Sequence, residues 1–232
     1  EAHAVGVFGD RGLGLCEQTD SIENVDVIVG TFGKALASFG AFVVTGRSVR
    51  EYLVNTARTL IFTTALPPAV VNWTCATLSR AVTMRTERRH LAALATQLRG
   101  SLREMNVPTG GASQIVPAIL GDNRTACRAA DALRETGFLV FPIRPPTVPP
   151  GSARIRFSLH ANMTPDHIKH LCKALAPLFP NPQLPESPRS EIEGHPTATA
   201  RRNRWPVTSG RGQAQPQQAS SPWKTSPHKS RV

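Results

Sequence analysis

The sequence has few cysteines, and none lies in a pattern typical of metal or redox sites. Its four cysteines, at positions 16, 75, 127 and 172, are separated by dozens of residues, so no CxxC pair exists. This spacing excludes the common zinc-binding and dithiol motifs, and we expect no metal site. Scattered cysteines in a chain of this size are typical of a reducing compartment, so we predict a cytoplasmic protein.

Long apolar runs and nucleotide-binding fingerprints are absent as well. No uninterrupted apolar run reaches the roughly 18 residues of a membrane span, and no signal peptide opens the chain, so we expect no membrane association. The glycines at 6, 9, 12 and 14 do not have GxGxxG spacing. Ala35 follows Lys34 where a phosphate-binding P-loop needs Ser or Thr, so that motif is excluded too.

Basic residues outnumber acidic residues, and this charge imbalance is large at the C-terminal end. The chain has 27 Lys+Arg against 16 Asp+Glu, a net charge of +11. Residues 181–232 hold 8 of the 20 prolines and eight basic against three acidic residues. This segment has too little apolar surface to offset its ordering entropy, so we predict a disordered tail. A solvated tail is a simpler interpretation than a nucleic-acid-binding one.

Before the tail, the pattern indicates α/β structure in two parts. Residues 1–104 read as part of a larger domain with a mixed or parallel sheet, and residues 105–180 as a small α+β domain. In the first part we predict strands at 25–29 and 41–45, a helix capped by Ser48, and one long helix over 69–104. In the second part we predict strands at 115–120, 138–142 and 153–159, a helix over 123–135, and a final helix capped by Thr164.

The segment TFGKALASFGA, residues 31–41, places a single lysine between two predicted strands among small residues. An ordinary surface lysine explains Lys34 equally well on spacing alone. The alternative is a lysine that forms a Schiff base, whose amine must be uncharged to attack an aldehyde. Glycine and alanine around it would leave room for a flat cofactor ring.

Two further segments carry candidate binding residues. His3 is the third residue of EAHAVGVFGDRGLG, and a histidine there is more often structural than catalytic. Arg144 precedes two prolines in FPIRPPTVPPGSARIRFSL, which restrict the backbone beside its guanidinium, and arginine suits bidentate recognition of a carboxylate. Arg154 and Arg156 alternate with apolar residues, so we place them on the polar face of a strand.

Together and in this order, these three segments resemble the α-oxoamine synthase family of pyridoxal phosphate (PLP) enzymes, which have fold type I. EAHAVGVFGDRGLG is similar to the family's D-E-x-H-x-x-G-x-x-G-x-x-G-x-G segment, and GTFGKA to its cofactor-lysine segment. The IRPPTVPPGSARIR segment resembles most closely the members that act in biotin biosynthesis. The resemblance runs from Glu1 to about Leu178 and does not extend into the tail.

The resemblance implies a role for each matching residue. Lys34 would form the Schiff base with PLP and move the substrate's Cα proton, while His3 would bind the phenolic oxygen of the ring. Thr31 would lie beside the cofactor phosphate, and Arg144 would bind the substrate carboxylate. The family is homodimeric, and the TTALPPA segment resembles the piece that reaches the partner's site, so Thr63 and Thr64 are candidate phosphate contacts there.

The implied reaction is the decarboxylative condensation of L-alanine with pimeloyl-CoA or a pimeloyl-acyl carrier protein. Alternatives within the family are enzymes of the 5-aminolevulinate synthase, 2-amino-3-ketobutyrate CoA ligase and serine palmitoyltransferase types. The family's aspartate that precedes Glu1, and the N-terminal half that it belongs to, are not in this sequence. We therefore expect the isolated chain to be inactive, and a non-catalytic fragment with a basic interaction tail is the alternative from another class.

Overall fold

The computed structural model describes residues 1–179, which form seven α-helices, five strands and two short 3₁₀ helices. The predicted disordered tail lies outside the described residues, and the division after residue 104 remains a prediction. The strands are β1 Val27–Thr31, β2 Ala41–Thr45, β3 Ile115–Gly121, β4 Phe141–Ile143 and β5 Ala153–Ser158. The α-helices are α1 Leu15–Gln18, α2 Arg47–Thr56, α3 Arg58–Ile61, α4 Pro68–Thr83, α5 Arg85–Glu104, α6 Asn123–Glu135 and α7 Pro165–Leu175.

The first sheet contains β1 and β2, which pair antiparallel with Val27 opposite Thr45 and Thr31 opposite Ala41. Of the mixed or parallel sheet expected here, the described residues contain this one pair. Strand β2 has the predicted bounds, whereas β1 begins two residues later than predicted. The connection between the two strands carries Lys34, so the lysine lies where the sequence placed it.

The long helix predicted over 69–104 is two helices, and the prediction was wrong on this point. Helix α4 ends at Thr83, because Met84 has φ −86° and ψ 45° and leaves the helical region. A helix end exposes carbonyl groups that need new donors. The buried guanidinium of Arg88 supplies them, since its Nη1 donates to the Ala81 oxygen at 2.5 Å and its Nη2 to the Val82 oxygen at 3.4 Å.

Helix α2 also differs from the prediction at its start. We expected Ser48 to be the N-cap, but the helix begins at Arg47 with Gly46 in the cap position and no side-chain cap bond. Helix α7 begins as predicted. The Thr164 hydroxyl accepts from the His167 backbone N–H, and His167 Nδ1 accepts from the Thr164 N–H at 2.9 Å, which together form a capping box.

The second sheet has the order β3-β5-β4, with both pairs antiparallel. Strand β4 begins three residues later than predicted because the residues after α6 are used to end that helix. Gly137 has φ +91°, its N–H donates to the Arg134 carbonyl at 3.0 Å, and the Phe138 N–H donates to the Leu133 carbonyl at 2.9 Å. Glycine satisfies the left-handed backbone that this helix ending requires.

The main core lies between α5 and the second sheet. The apolar stripe of α5, formed by Leu91, Leu94, Leu98 and Leu102, packs in one cluster with residues of β3, β5, α6 and α7. Leu98 and Leu102 are fully buried. No helix within residues 1–179 combines the length and the apolar character that crossing a bilayer requires.

Candidate active site

The Lys34 loop, residues 32–40 between β1 and β2, is held by hydrogen bonds between residues close to one another in the sequence. The Thr31 hydroxyl accepts from the Gly33 N–H at 3.0 Å. The Phe32 carbonyl accepts from the Ser38 N–H at 2.9 Å, and the Lys34 carbonyl from the Ala37 N–H at 3.0 Å. The loop therefore folds back on itself and presents an exposed Lys34 side chain at its turn.

Helix α4 fixes the far side of this loop. The Trp73 indole N–H donates to the Ala37 carbonyl at 2.8 Å. The hydroxyls of Ser38 and the buried Thr74 lie 2.6 Å apart, and Thr74 also donates to the Val70 carbonyl. These contacts connect residues 36 positions apart in the sequence and make α4 the support of the lysine loop.

The glycine loop, residues 6–14, packs directly against the lysine loop. The Gly6 N–H donates to the Gly12 carbonyl at 2.7 Å, which closes the loop. Gly6 has φ +84°, and a Cβ placed on it would lie only 2.9 Å from the Ala35 Cβ. Only glycine allows both this backbone conformation and this close approach. The segments that carry His3 and Lys34 are thereby brought together.

His3 lies between these loops and the second sheet. Its backbone carbonyl accepts from the Gln114 side-chain amide at 3.3 Å. The pKa of His3 is lowered from its ordinary value, first because of partial burial and then because of the positive charges of Lys34 and Arg156. Both effects disfavour the charged imidazolium and favour the neutral ring.

His3 and Lys34 line a common cavity of about 490 Å³, which we call the Lys34 cavity. Its charged and titratable lining comprises His3, Lys34, Glu87, Arg88, Arg156 and His160. Three basic side chains, Lys34, Arg88 and Arg156, share the lining with one carboxylate, Glu87, so this arrangement favours an anionic ligand. A neighbouring cavity of about 590 Å³ shares the Arg88 and Gln114 wall but includes neither His3 nor Lys34.

The other predicted site residues do not line the Lys34 cavity. Thr31 ends β1 and holds the lysine loop through its hydroxyl. Thr63 and Thr64 are exposed between α3 and α4, and Arg144 is exposed in the segment that follows β4. The described structure thus brings His3 and Lys34 together, and the roles of all six residues remain predictions.

Arg156 lines the Lys34 cavity, although the sequence predicted only a position on the polar face of a strand. It does lie on the exposed face of β5, as the alternation predicted. That face is the wall of the Lys34 cavity, and the Arg156 charge contributes to lowering the pKa of His3. The alternation of the strand identifies its polar face, but only the packing of the glycine loop shows what that face meets.

About three quarters of the chain is similar to known proteins. Residues 1–175 match the family described as aminotransferase class I and II. Over 178 residues the chain is 53% identical to the 8-amino-7-oxononanoate synthase of Chlorobaculum parvum, covering 77% of this chain and 45% of that protein.

Solved structures agree with this match. The 8-amino-7-oxononanoate synthase of Francisella tularensis has a TM-score of 0.69 at 31% identity, covering 78% of this chain and 52% of that one. The serine palmitoyltransferase of S. paucimobilis with bound PLP–myriocin aldimine has a TM-score of 0.72 at 32% identity, covering 77% and 46%. The chain spans about half the length of these relatives.

Proposed function

The chain belongs to the aminotransferase class I and II family, and we propose from this that it is part of a PLP-dependent acyltransferase of the 8-amino-7-oxononanoate synthase type. The observation that carries the proposal is that Lys34 and His3, the two residues matched to the cofactor motifs, line one cation-rich cavity. The reaction would be the condensation of L-alanine with pimeloyl-CoA or a pimeloyl-acyl carrier protein, with loss of CO2 and of the thiol.

The residues of the Lys34 cavity fit PLP in size and charge. The volume of about 490 Å³ lies within the range of roughly 300–1,000 Å³ typical of ligand pockets. PLP and an amino acid both bring negative charge, which the cations of the cavity complement. Lys34 would hold the cofactor covalently, and Thr31 would contact its phosphate. When bound, the cofactor serves as the electron sink for loss of the Cα proton.

Each of the two central side chains has a defined task in this proposal. The amino group of L-alanine would displace Lys34 from the cofactor, and the freed, uncharged amine would then take the Cα proton and later return it. His3 would donate a ring N–H to the phenolic oxygen of the cofactor. Its lowered pKa keeps the imidazole neutral at pH 7, so His3 donates a hydrogen bond without adding another positive charge.

Two arginines are candidates for the substrate carboxylate. The sequence motif favours Arg144, whereas the cavity lining favours Arg156. Both guanidiniums suit bidentate binding of a carboxylate. We propose Arg144 as the ligand because it lies in the matched sequence segment, and we test Arg156 beside it. An Arg144→Lys variant should weaken L-alanine binding more than Arg156→Lys does, and the reverse order would transfer the role to Arg156.

The biotin-pathway activity is proposed above its sister activities because of sequence identity. The serine palmitoyltransferase and the F. tularensis synthase are about equally similar in fold, so the fold does not separate them. The higher identity to the C. parvum synthase favours the pimeloyl thioester. We further propose a homodimer in which Thr63 and Thr64 contact the partner's cofactor phosphate. A cytoplasmic location remains a prediction, based on four cysteines that are all unpaired.

The proposal is tested by incubating the full chain with PLP, reducing with borohydride and mapping the modified peptides by mass spectrometry. Lys34, Lys169 and Lys173 are all exposed, so exposure alone would label them alike. We expect Lys34 to be labelled in preference, and the Lys34→Ala variant to lose this label while the other two lysines are unaffected. Equal labelling of the three lysines, or none at Lys34, would contradict the proposal.

A further inference from the structure

Arg88 is one of the two buried arginines within residues 1–179, with 7% of its surface exposed. It lies in the first turn of α5, and all of its side-chain hydrogen bonds go to backbone carbonyls. Besides Ala81 and Val82 at the end of α4, it donates from Nη2 to the Asp10 carbonyl in the glycine loop. These acceptors come from two segments about 70 residues apart in the sequence.

On one side, Arg88 fixes the glycine loop. A Cβ placed on Gly12 would lie 2.9 Å from Arg88 Nη1, so the loop backbone rests directly on the guanidinium. Gly12 accepts from the Gly6 N–H, and Gly6 packs against Ala35 beside Lys34. A continuous series of contacts therefore runs from Arg88 through the loop that follows His3 to the neighbour of Lys34.

On the other side, Arg88 fixes the end of α4. The same helix carries Trp73 and Thr74, which hold Ala37 and Ser38 of the lysine loop. The supports of both site-bearing loops therefore meet at one side chain. The planar arginine fork can reach carbonyls from both segments at once, whereas the ammonium of lysine is a single point of charge.

We propose that Arg88 is a positioning residue that fixes His3 and Lys34 relative to each other across the Lys34 cavity. This role contributes to catalysis only if the proposed function is correct. The effect of Arg88 on the positions of His3 and Lys34 can be tested separately. An alternative is that Arg88 only caps α4. Capping alone would affect the stability of the helix without changing the environment of His3.

The test uses the full chain with Arg88→Lys and Arg88→Gln, and Arg103→Gln as control. Arg103 lies on the same helix, is exposed and is outside both cavities, so it matches the charge change without the carbonyl contacts. Three readouts are needed: borohydride labelling of Lys34 with PLP, the pH titration of His3 by NMR, and hydrogen exchange in β3 and β5. The exchange data show whether each variant is folded.

In folded Arg88 variants we expect Lys34 labelling to fall about tenfold or more, since small displacements of reacting groups cost this much. The pKa of His3 should rise towards its ordinary value, because Lys34 would no longer be held near it. Arg103→Gln should change neither. Folded Arg88 variants with wild-type labelling and titration would overturn the proposal.

Two other outcomes are equally informative. Loss of exchange protection in β3 and β5 in both Arg88 variants would show a role in overall folding, and the positioning role would be rejected. If the wild type is not labelled at Lys34, the proposed function fails by itself. In that case the His3 titration alone decides whether Arg88 holds the two loops together.

Discussion

Two regions of the molecule differ sharply in how far they bury their own apolar side chains. From Leu91 onwards, α5 and the three-stranded sheet share one continuous core. In residues 1–84 the buried apolar residues are Ala4, Val5 and Leu36, whereas large side chains such as Val29 and Phe62 are 52% and 77% exposed. Lys34 thus lies in the region that buries fewer of its own apolar side chains.

The β1–β2 pair shows what this difference means. Its strands are apolar on both faces, a pattern typical of strands covered on both sides. Within residues 1–179 these faces are open, with Val43 50% and Val44 56% exposed. The site is therefore fixed by local hydrogen bonds and glycine contacts, and the second region by hydrophobic packing.

The largest expected effect is on stability. Leu98→Ala removes a fully buried side chain from the core and should lower the free energy of unfolding by about 2–5 kcal/mol. Leu60→Ala in α3, where the side chain is 53% exposed, should change it by about 0.5 kcal/mol or less. Urea unfolding of the full chain, followed by circular dichroism, measures both. Similar losses in the two variants would contradict the contrast.

A smaller effect is expected at the helix caps. Thr164→Ala removes the side-chain cap of α7 and should cost about 1 kcal/mol. Ser48→Ala in α2 makes the same kind of change at a position with no cap bond and should cost almost nothing. The same urea experiment measures both variants. A cost at Ser48 equal to that at Thr164 would show that the assigned start of α2 is wrong.

The smallest effect is electrostatic and lies in the site. Positive charge near an imidazole disfavours its protonated form, so removing the charge must raise the pKa. Lys34→Ala should therefore raise the pKa of His3, and Arg156→Gln should raise it too. Burial, the largest cause of the lowering, stays, so we expect the pKa to remain below its ordinary value. An NMR titration measures the pKa of His3 in each variant, with Lys169→Ala as the control in which we expect no change. A fall in this pKa, or no change, in Lys34→Ala and Arg156→Gln would refute the prediction.

Local signals in the sequence predicted local structure well. Helix α6 has the predicted bounds because its apolar periodicity and the following Gly137 are signals within one segment. The capped start of α7 was predicted for the same reason, from Thr164 and Pro165. The break between α4 and α5 was missed because no glycine or proline marks it; Met84 leaves the helical region, and the buried Arg88 side chain binds the freed carbonyls.

The site was predicted in part, for the same physical reason. The family resemblance of the glycine-rich and lysine segments pointed to His3 and Lys34, which share a cavity. Arg156 was assigned to the correct strand face but not to the cavity, since strand alternation does not show which loop packs against that face. The roles of all six predicted site residues remain predictions, and Thr31, Thr63, Thr64 and Arg144 lie outside the Lys34 cavity.

The most direct test of the central claim is amide hydrogen exchange of the full chain with and without PLP. The claim is that the cofactor binds in the Lys34 cavity, where the glycine loop and the lysine loop face the packed core. We predict that PLP slows exchange in residues 3–14 and 31–38 and leaves β3 and β5 unchanged. Unchanged exchange in residues 31–38, or equal slowing in β5, would contradict it.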